Sequence, residues 1–249
     1  MDMAFTRSKL ILGVCALMVW LVSSAGHADL RSEVTQATRG FKDISLGCKV
    51  VHADMAELKR IGKDFSKGFE VKNTTAWYKA PRMMRIDGKL GMINIVLIMN
   101  GDEKGVRVPA LHITKKENIK SKPDRRQTDF DLGIISESLW QDYVITDIAT
   151  EKSSDGVVRR VTIFHDNDRD RKIVFWIDAD TYKLMKVERY KWRGPVEARY
   201  IYSKHSLMDG AIWVPGRVDV YSPGGKLAAT TVYEKVKVNT NISDSVFKL

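Results

Sequence analysis

About a dozen short stretches of alternating apolar and polar residues, joined by tight-turn sequences, constrain the fold of this chain most strongly. In the first stretch, Ile44, Leu46 and Cys48 alternate with small or polar residues, which is the period of a half-buried strand. Turn-forming pairs such as Asp87-Gly88 separate most of the stretches. Because strands joined by tight turns pair antiparallel, the pattern predicts a meander and not a succession of βαβ units. The predicted strands cover residues 44–50, 68–79, 82–87, 92–100, 105–113, 143–150, 157–165, 171–178, 183–192, 197–205, 211–221 and 227–238.

Two segments depart from this two-residue period and predict helices. Near the start of the chain, Leu30, Val34 and Phe41 recur at helical spacing, which predicts a helix that ends at Gly40. A short amphipathic helix is predicted between Thr128 and Asp142. Its apolar positions are Leu132, Ile135 and Leu139, with Trp140 beside them.

The number of strands also predicts how the sheet is buried. A sheet of this size must cover one face or close on itself. Since only two helices are predicted, the fold class that follows is mainly β (α+β), a strongly curved antiparallel sheet whose concave face the helices cover. A composition of 44% hydrophobic and 29% charged residues excludes a disordered, collagen-like or multi-span membrane chain.

The first 28 residues have the pattern of a secretory signal. The apolar run Leu10–Val22 follows Arg7 and Lys9 and precedes the small residues Gly26 and Ala28. An uncleaved membrane anchor is the alternative, but the run is shorter than the roughly 18–20 residues of a spanning helix. The predicted organisation is therefore a signal peptide over residues 1–28 and a single exported domain over residues 29–249.

The chain is basic, with a formal net charge of +10. Acidic and basic residues are mixed along most segments, and DNA is an unsuitable partner for an exported protein, so no nucleic acid is predicted. One stretch that contains Pro123 is denser in positive charge, and we interpret it as a loop that contacts an anionic membrane or an acidic partner. Its basic residues are Lys115, Lys116, Lys120, Lys122, Arg125 and Arg126.

The sequence contains no recognisable catalytic, cofactor-binding or metal-binding motif. The histidines after residue 28 lie far apart along the chain, which does not indicate a zinc site. Asp166, Asp168 and Asp170 resemble the start of a calcium loop, but Arg171 replaces the required glycine, so a hairpin turn is predicted. Cys48 alternates with core positions and is predicted to be a buried thiol. The protein is therefore predicted not to be an enzyme and to need no metal or cofactor.

Several predicted strands carry large apolar residues on one face, and two interpretations are open. In one, these residues pack against each other and the helices. In the other, they line an apolar cavity that holds lipid, and the flexible methionines suit a surface that must repack. The candidate lipid-binding residues are Trp77, Met83, Ile95, Leu97, Met99, Phe175, Ile177, Met185 and Val187.

Three segments resemble the LolA-like family of periplasmic outer-membrane lipoprotein-sorting carriers. Trp77–Ile86 is similar to the family's early strand, in which an aromatic run meets a basic residue, a proline and an apolar strand. Val174–Glu188 looks like the family's hairpin, whose Ile-Asp-x-x-Thr turn leads into a strand. Asn239–Phe247 is close to the closing segment of many members. With the order of elements, the resemblance spans residues 29–249.

The resemblance implies an incomplete antiparallel barrel in which helices form a lid over an apolar cavity for acyl chains. The lid residues would be Leu132, Ile135, Leu139 and Trp140. In the lipoprotein carriers, the residue before the proline of the first segment is typically an arginine that holds the lid closed. That position is Ala80 here, and Arg82 can replace the arginine only if its side chain reaches the lid.

The leading hypothesis is a non-enzymatic periplasmic carrier for acylated lipoproteins or lipids. Its partners would be the cargo, an inner-membrane exporter or outer-membrane acceptor, and transiently an anionic membrane. The alternative is a sensor of the same fold that binds a lipid or lipoprotein and regulates a membrane partner. An exported enzyme is a third hypothesis, which the absence of convergent catalytic motifs disfavours.

Overall fold

The computed structural model of the protein describes residues 29–122, 125–154, 156–166 and 168–248. The predicted signal peptide and Pro123 lie outside these residues. Helix α1 covers residues 29–37, α2 covers Met55–Ile61 and α3 covers Lys63–Gly68. No helix within the described ranges is both long and apolar enough to cross a membrane. The strands are β1 (Asp43–Ala53), β2 (Asn73–Lys79), β3 (Met83–Leu90), β4 (Ile93–Asn100), β5 (Glu103–Val108), β6 (Ile113–Asn118), β7 (Tyr143–Ser153), β8 (Gly156–His165), β9 (Asp168–Asp178), β10 (Leu184–Tyr190), β11 (Val196–Ser203), β12 (Ser206–Met208), β13 (Ile212–Val214), β14 (Arg217–Tyr221) and β15 (Leu227–Val238).

Thirteen of these strands form one antiparallel sheet, which confirms the predicted mainly β fold. The strand order is β6-β5-β4-β3-β2-β1-β15-β14-β11-β10-β9-β8-β7, and β12 pairs with β13 in a separate hairpin. Strong curvature of the sheet follows from strand twist and from register shifts in β1, β10, β14 and β15. Strands β6 and β7 form the two edges of the sheet and do not pair with each other. The sheet is therefore an incomplete barrel.

Helices α2 and α3 were not predicted from the sequence. The side chain of Asp54 accepts hydrogen bonds from the backbone N–H groups of Ala56 and Glu57, which begins α2. Leu58 and Ile61 then pack against β14 and β15. The helix is only seven residues long, so its apolar periodicity is too brief to stand out from the strands around it.

The predicted helix between Thr128 and Asp142 is wrong in type. This region consists of two 3₁₀ turns, Asp129–Leu132 and Glu137–Gln141. Gly133 ends the first turn with a φ of +82°, and the hydroxyl of Ser136 caps the second. Because of these interruptions the region does not form a continuous α-helix. Its apolar residues still face the sheet. We call residues 128–142 the covering segment.

The core lies on the concave side of the sheet. Strands β8 to β11 form one wall of it together with α1 and the covering segment. Strands β1 to β4 form a second wall, which the β12–β13 hairpin covers. Helices α2 and α3 cover a third region over β11, β14 and β15. The concave face is therefore covered by four separate pieces of chain, where the sequence predicted two.

Candidate functional site: the covered concave face

The wall formed by β8, β9 and β10 presents a continuous apolar surface. Phe175 pairs with Val161 on one neighbouring strand and with Val187 on the other, so the three side chains share a face. In the covering segment, Phe130 contacts Phe175 edge to face with 5.5 Å between ring centroids. Ile135 and Leu139 of the covering segment are also buried against this wall. The covering segment thus packs onto the apolar wall formed by β8, β9 and β10.

The second wall is formed mainly by residues that the sequence analysis did not select as candidates. Tyr78 pairs with Met84, and Met84 pairs with Met99, which places all three on the concave face. Leu132 and Ile134 of the covering segment pack against this wall. Only alternation marks these strand positions in the sequence, and alternation does not tell which face of a strand is concave.

The structure brings five of the predicted lipid-binding residues onto the two walls. They are Leu97, Met99, Phe175, Ile177 and Val187. Ile95 shares the face of Leu97 but is half-buried and lies outside the packed clusters. The predicted lid residues Leu132, Ile135 and Leu139 are buried in the covering segment, and Trp140 is half-buried beside them.

Three other predictions require correction. Trp77 and Met83 lie on the opposite, convex face of β2 and β3, because alternation assigns the concave positions to Tyr78 and Met84. The Trp77 ring packs against the guanidinium of Arg85, 5.7 Å from the ring centroid. Met185 lies at a register shift between Leu184 and Lys186, so Leu184 takes its place on the concave wall.

A buried polar cluster joins the two turns of the covering segment to the sheet. Asp129 is fully buried, and the hydroxyl groups of Ser136 and Ser138 both donate hydrogen bonds to its carboxylate. The hydroxyl of Tyr78 donates to the carbonyl of Pro81 at 2.7 Å and lies 3.3 Å from the Ser138 hydroxyl. Burial raises the pKa of Asp129 to about 6, although the hydrogen bonds from the two serines oppose this shift.

This raised pKa gives a testable pH dependence. The unfolded carboxyl titrates near 3.9, so the folded protein holds the proton more tightly and loses stability as the pH rises from about 4 to 6. Asn mimics the protonated acid. We expect Asp129→Asn to equal the wild type near pH 4 and to exceed it above pH 6, by on the order of 2–3 kcal/mol. Chemical denaturation across this pH range measures the difference, and a constant difference would contradict the assignment.

An ion-pair network fixes the end of the covering segment. The carboxylate of Asp142 accepts hydrogen bonds from Arg82 at 2.7 Å and from Arg126 at 2.9 Å, and Arg126 also contacts Asp102. The side chains of Asp142 and Arg126 are only 8% and 13% exposed. Ala80 occupies the position at which the LolA-like carriers typically have an arginine. Arg82, two residues later, nevertheless reaches the covering segment through Asp142. A cavity of about 480 Å³ opens beside this region, between the end of α1, Pro81 and the second turn.

The structure places the six residues of the predicted basic patch in different settings. Lys115 and Lys116 lie in strand β6, which replaces the predicted loop. Lys122 and Arg125 both pair with Glu117, at 2.6 and 2.8 Å. Arg126 is nearly buried in the network with Asp102 and Asp142, so it cannot contact a membrane or partner, and Lys120 is exposed beyond the strand. Glu117 and the more distant Asp102 and Asp142 thus compensate three of the six basic residues.

The Cys48 thiol and the metal-ligating side chain types were also candidates for chemistry. Burial raises the pKa of the Cys48 thiol to about 11, while a hydrogen bond with Thr74 partly opposes the shift. Among the residues that the structure describes, no group of three or more His, Cys, Asp or Glu side chains is placed to hold a metal ion.

Comparison with known proteins identifies the fold. No protein-family profile and no curated protein sequence matches the chain. Among the solved structures that match, three that each cover 90% of the chain are a domain assigned as an outer membrane lipoprotein-sorting protein from Vibrio parahaemolyticus (13% identity, TM-score 0.60, 97% of that chain), a LolA superfamily protein from Nitrosomonas europaea (12%, 0.62, 97%) and a DUF1329 family protein from Desulfovibrio piger (15%, 0.57, 96%). At these identities the likeness concerns architecture alone. The chain therefore has the LolA-like fold, an open curved sheet covered on its concave face.

Proposed function

We propose that the protein is a non-enzymatic periplasmic carrier that shields acyl chains of lipoproteins or lipids on its concave face during transfer to the outer membrane. One observation carries this proposal. The apolar walls of the sheet are covered by a segment that buries its own apolar side chains against them and is tethered through polar contacts at Ser138, Asp131 and Asp142.

The physical reason for a carrier is the cost of exposing lipid to water. Each methylene group left in water costs about 0.8 kcal/mol, so an acyl chain needs an apolar cover to cross an aqueous compartment. Displacing Phe130, Ile135 and Leu139 from the sheet exposes apolar surface that the incoming chain covers again. Because one apolar contact replaces another, loading and release need no covalent step. An inner-membrane exporter would load the carrier, and an outer-membrane acceptor would receive the cargo.

Native mass spectrometry after extraction of the mature protein tests the proposal. We expect co-purified acylated molecules, or binding of a fluorescent fatty-acyl probe by the delipidated protein. A protein that is always empty and does not bind the probe would refute the carrier. A protein that retains its cargo in the presence of acceptor vesicles would instead favour the sensor of the same fold.

The proposal includes a transient contact between one end of the sheet and an anionic membrane. Within the described residues, nine large hydrophobic side chains are exposed, and five of them lie at the β3–β4 turn and the β5–β6 connection, where Met92 is 98% exposed. Lys115 and Lys116 follow directly in β6 and make no ion pair within the described part of the chain. Apolar side chains beside uncompensated cations suit a bilayer surface with anionic headgroups. The five residues are Leu90, Met92, Ile93, Leu111 and Ile113.

Vesicle sedimentation measures this contact. We expect the double variant Lys115→Glu/Lys116→Glu to reduce binding to phosphatidylglycerol-containing vesicles at least about thirtyfold, since each of the two basic residues near such a surface contributes roughly 1 kcal/mol. The double variant Lys226→Glu/Lys237→Glu makes the same charge change elsewhere and is expected to lose much less. Equal losses in both variants would indicate a dispersed charge and no local contact.

A further inference from the structure

Arg189 is a cation on the concave face that the shielding of an acyl chain does not require. Arg189 lies in β10 opposite Ile173, two residues beyond Val187, and therefore shares the face of the apolar wall. Its guanidinium Nη2 donates to the carboxylate of Asp131 in the covering segment. Its centre lies 5.8 Å from the ring centroid of Tyr200. This ion pair is placed between the sheet and the segment that covers it.

The guanidinium has hydrogen-bonding capacity left over. Within the described part of the chain, Nη2 is the only nitrogen of Arg189 that makes a hydrogen bond, and the side chain remains 33% accessible. The Asp131 side chain is 27% accessible. The second oxygen of Asp131 accepts from the backbone N–H of Thr128 at 2.8 Å, so one oxygen holds the turn and only the other holds Arg189.

Tyrosine side chains surround the pair. Burial raises the pKa of Tyr202, the nearby charge of Arg189 lowers it, and that of Asp131 raises it. Arg189 likewise lowers and Asp131 raises the pKa of Tyr200, and Asp131 also raises the pKa of Tyr233. No hydrogen bond is formed by the hydroxyls of these three tyrosines within the described residues. A small polar region with unused donors thus lies beside the apolar wall of β8 to β10.

From this arrangement we propose that Arg189 binds the anionic head of the cargo, a carboxylate or phosphate at the end of an acyl chain, in exchange for Asp131. When the covering segment moves, Asp131 leaves with it and Arg189 would be left uncompensated. An anionic oxygen from the cargo replaces the lost partner, and the tyrosine hydroxyls donate to its remaining lone pairs. The site therefore selects anionic amphiphiles over neutral ones of the same length. This inference rests on the proposed acyl-chain binding and names the chemical class of the cargo.

Displacement of a fluorescent acyl probe by three amphiphiles with the same chain tests the inference. The competitors are dodecanoate, dodecyl phosphate and dodecanol. We expect the wild type to bind one or both anions at least about tenfold more tightly than dodecanol, as for a hydrogen bond to a charged group. The preferred anion distinguishes a carboxylate head from a phosphate head.

Two variants separate head recognition from a structural role of the pair. Arg189→Gln is expected to bring the anion-to-dodecanol affinity ratio close to one while dodecanol still binds. Asp131→Asn removes the competing carboxylate and is expected to raise the ratio severalfold, which tests the inference even if Arg189→Gln does not fold. If the pair only holds the segment closed, Asp131→Asn changes all affinities equally and the inference fails. If dodecanol binds as tightly as the anions to the wild type, the inference also fails while the carrier stands. If nothing binds, both fail.

Discussion

Replacing Asp142 with alanine is expected to destabilise the protein by about 3 kcal/mol, because removal of one partner leaves two arginines without their shared carboxylate. Asp142 and Arg126 are nearly buried, whereas Arg82 is about one-third exposed, which favours the lower end of the usual range. The same change releases the end of the covering segment, so a fluorescent acyl probe should also enter faster. Chemical denaturation and stopped-flow fluorescence measure the two effects.

Asp244→Ala provides the matched control. Asp244 pairs with Lys79, but its side chain is 65% exposed and the pair lies outside the covering segment. We expect a loss below about 1 kcal/mol and no change in the rate of probe entry, since exposed ion pairs contribute little. If both variants behave alike, the network at Asp142 does not hold the segment.

Replacing Leu139 with glutamate is expected to weaken acyl-probe binding by more than about tenfold, while the thirteen-stranded sheet remains folded. Leu139 is 2% exposed and packs against the apolar wall. A carboxylate cannot be buried there without a partner, so the covering segment would no longer close over a bound chain. Probe titration measures the affinity, and circular dichroism with a thermal melt reports whether the sheet persists.

Leu207→Glu introduces the same charge at a position that is already 48% exposed on the β12–β13 hairpin. It should leave both probe affinity and folding close to the wild type. Unchanged binding in folded Leu139→Glu would mean that the covering segment is not a lid, whatever the control shows.

Most of the sheet could be predicted because strand alternation and tight turns are local. The predicted strand 227–238 agrees with β15, and β4 begins one residue later than the predicted strand 92–100. The predicted strand over residues 211–221 is interrupted instead at Pro215-Gly216. Proline lacks the N–H group that continued pairing needs, and Gly216 lies against the backbone of Lys204, where a Cβ would be only 2.8 Å from its carbonyl oxygen.

The candidate site was less predictable than the sheet. The apolar residues of the covering segment were identified from their spacing, but spacing did not reveal that Gly133 divides the segment. A Cβ at Gly133 would come within 2.7 Å of Tyr202 and Pro215, so this position depends on a contact between distant parts of the chain. The partners of Asp131 and Asp142 could not be predicted from the sequence either, because these acids join the segment to Arg189 in β10 and to Arg82 before β3.

The sequence by itself determined the antiparallel meander, the apolar residues available for the core and the chemical character of the covering segment. These properties follow from periodicity over a few residues, which backbone geometry converts directly into strands, turns and faces. Only the tertiary structure decided which face of each strand is concave, which acids compensate the basic stretch after β5, and that Arg82 and Arg189 both reach the covering segment. Those outcomes depend on sheet curvature and on contacts between residues as much as 60 positions apart, and no local pattern encodes them.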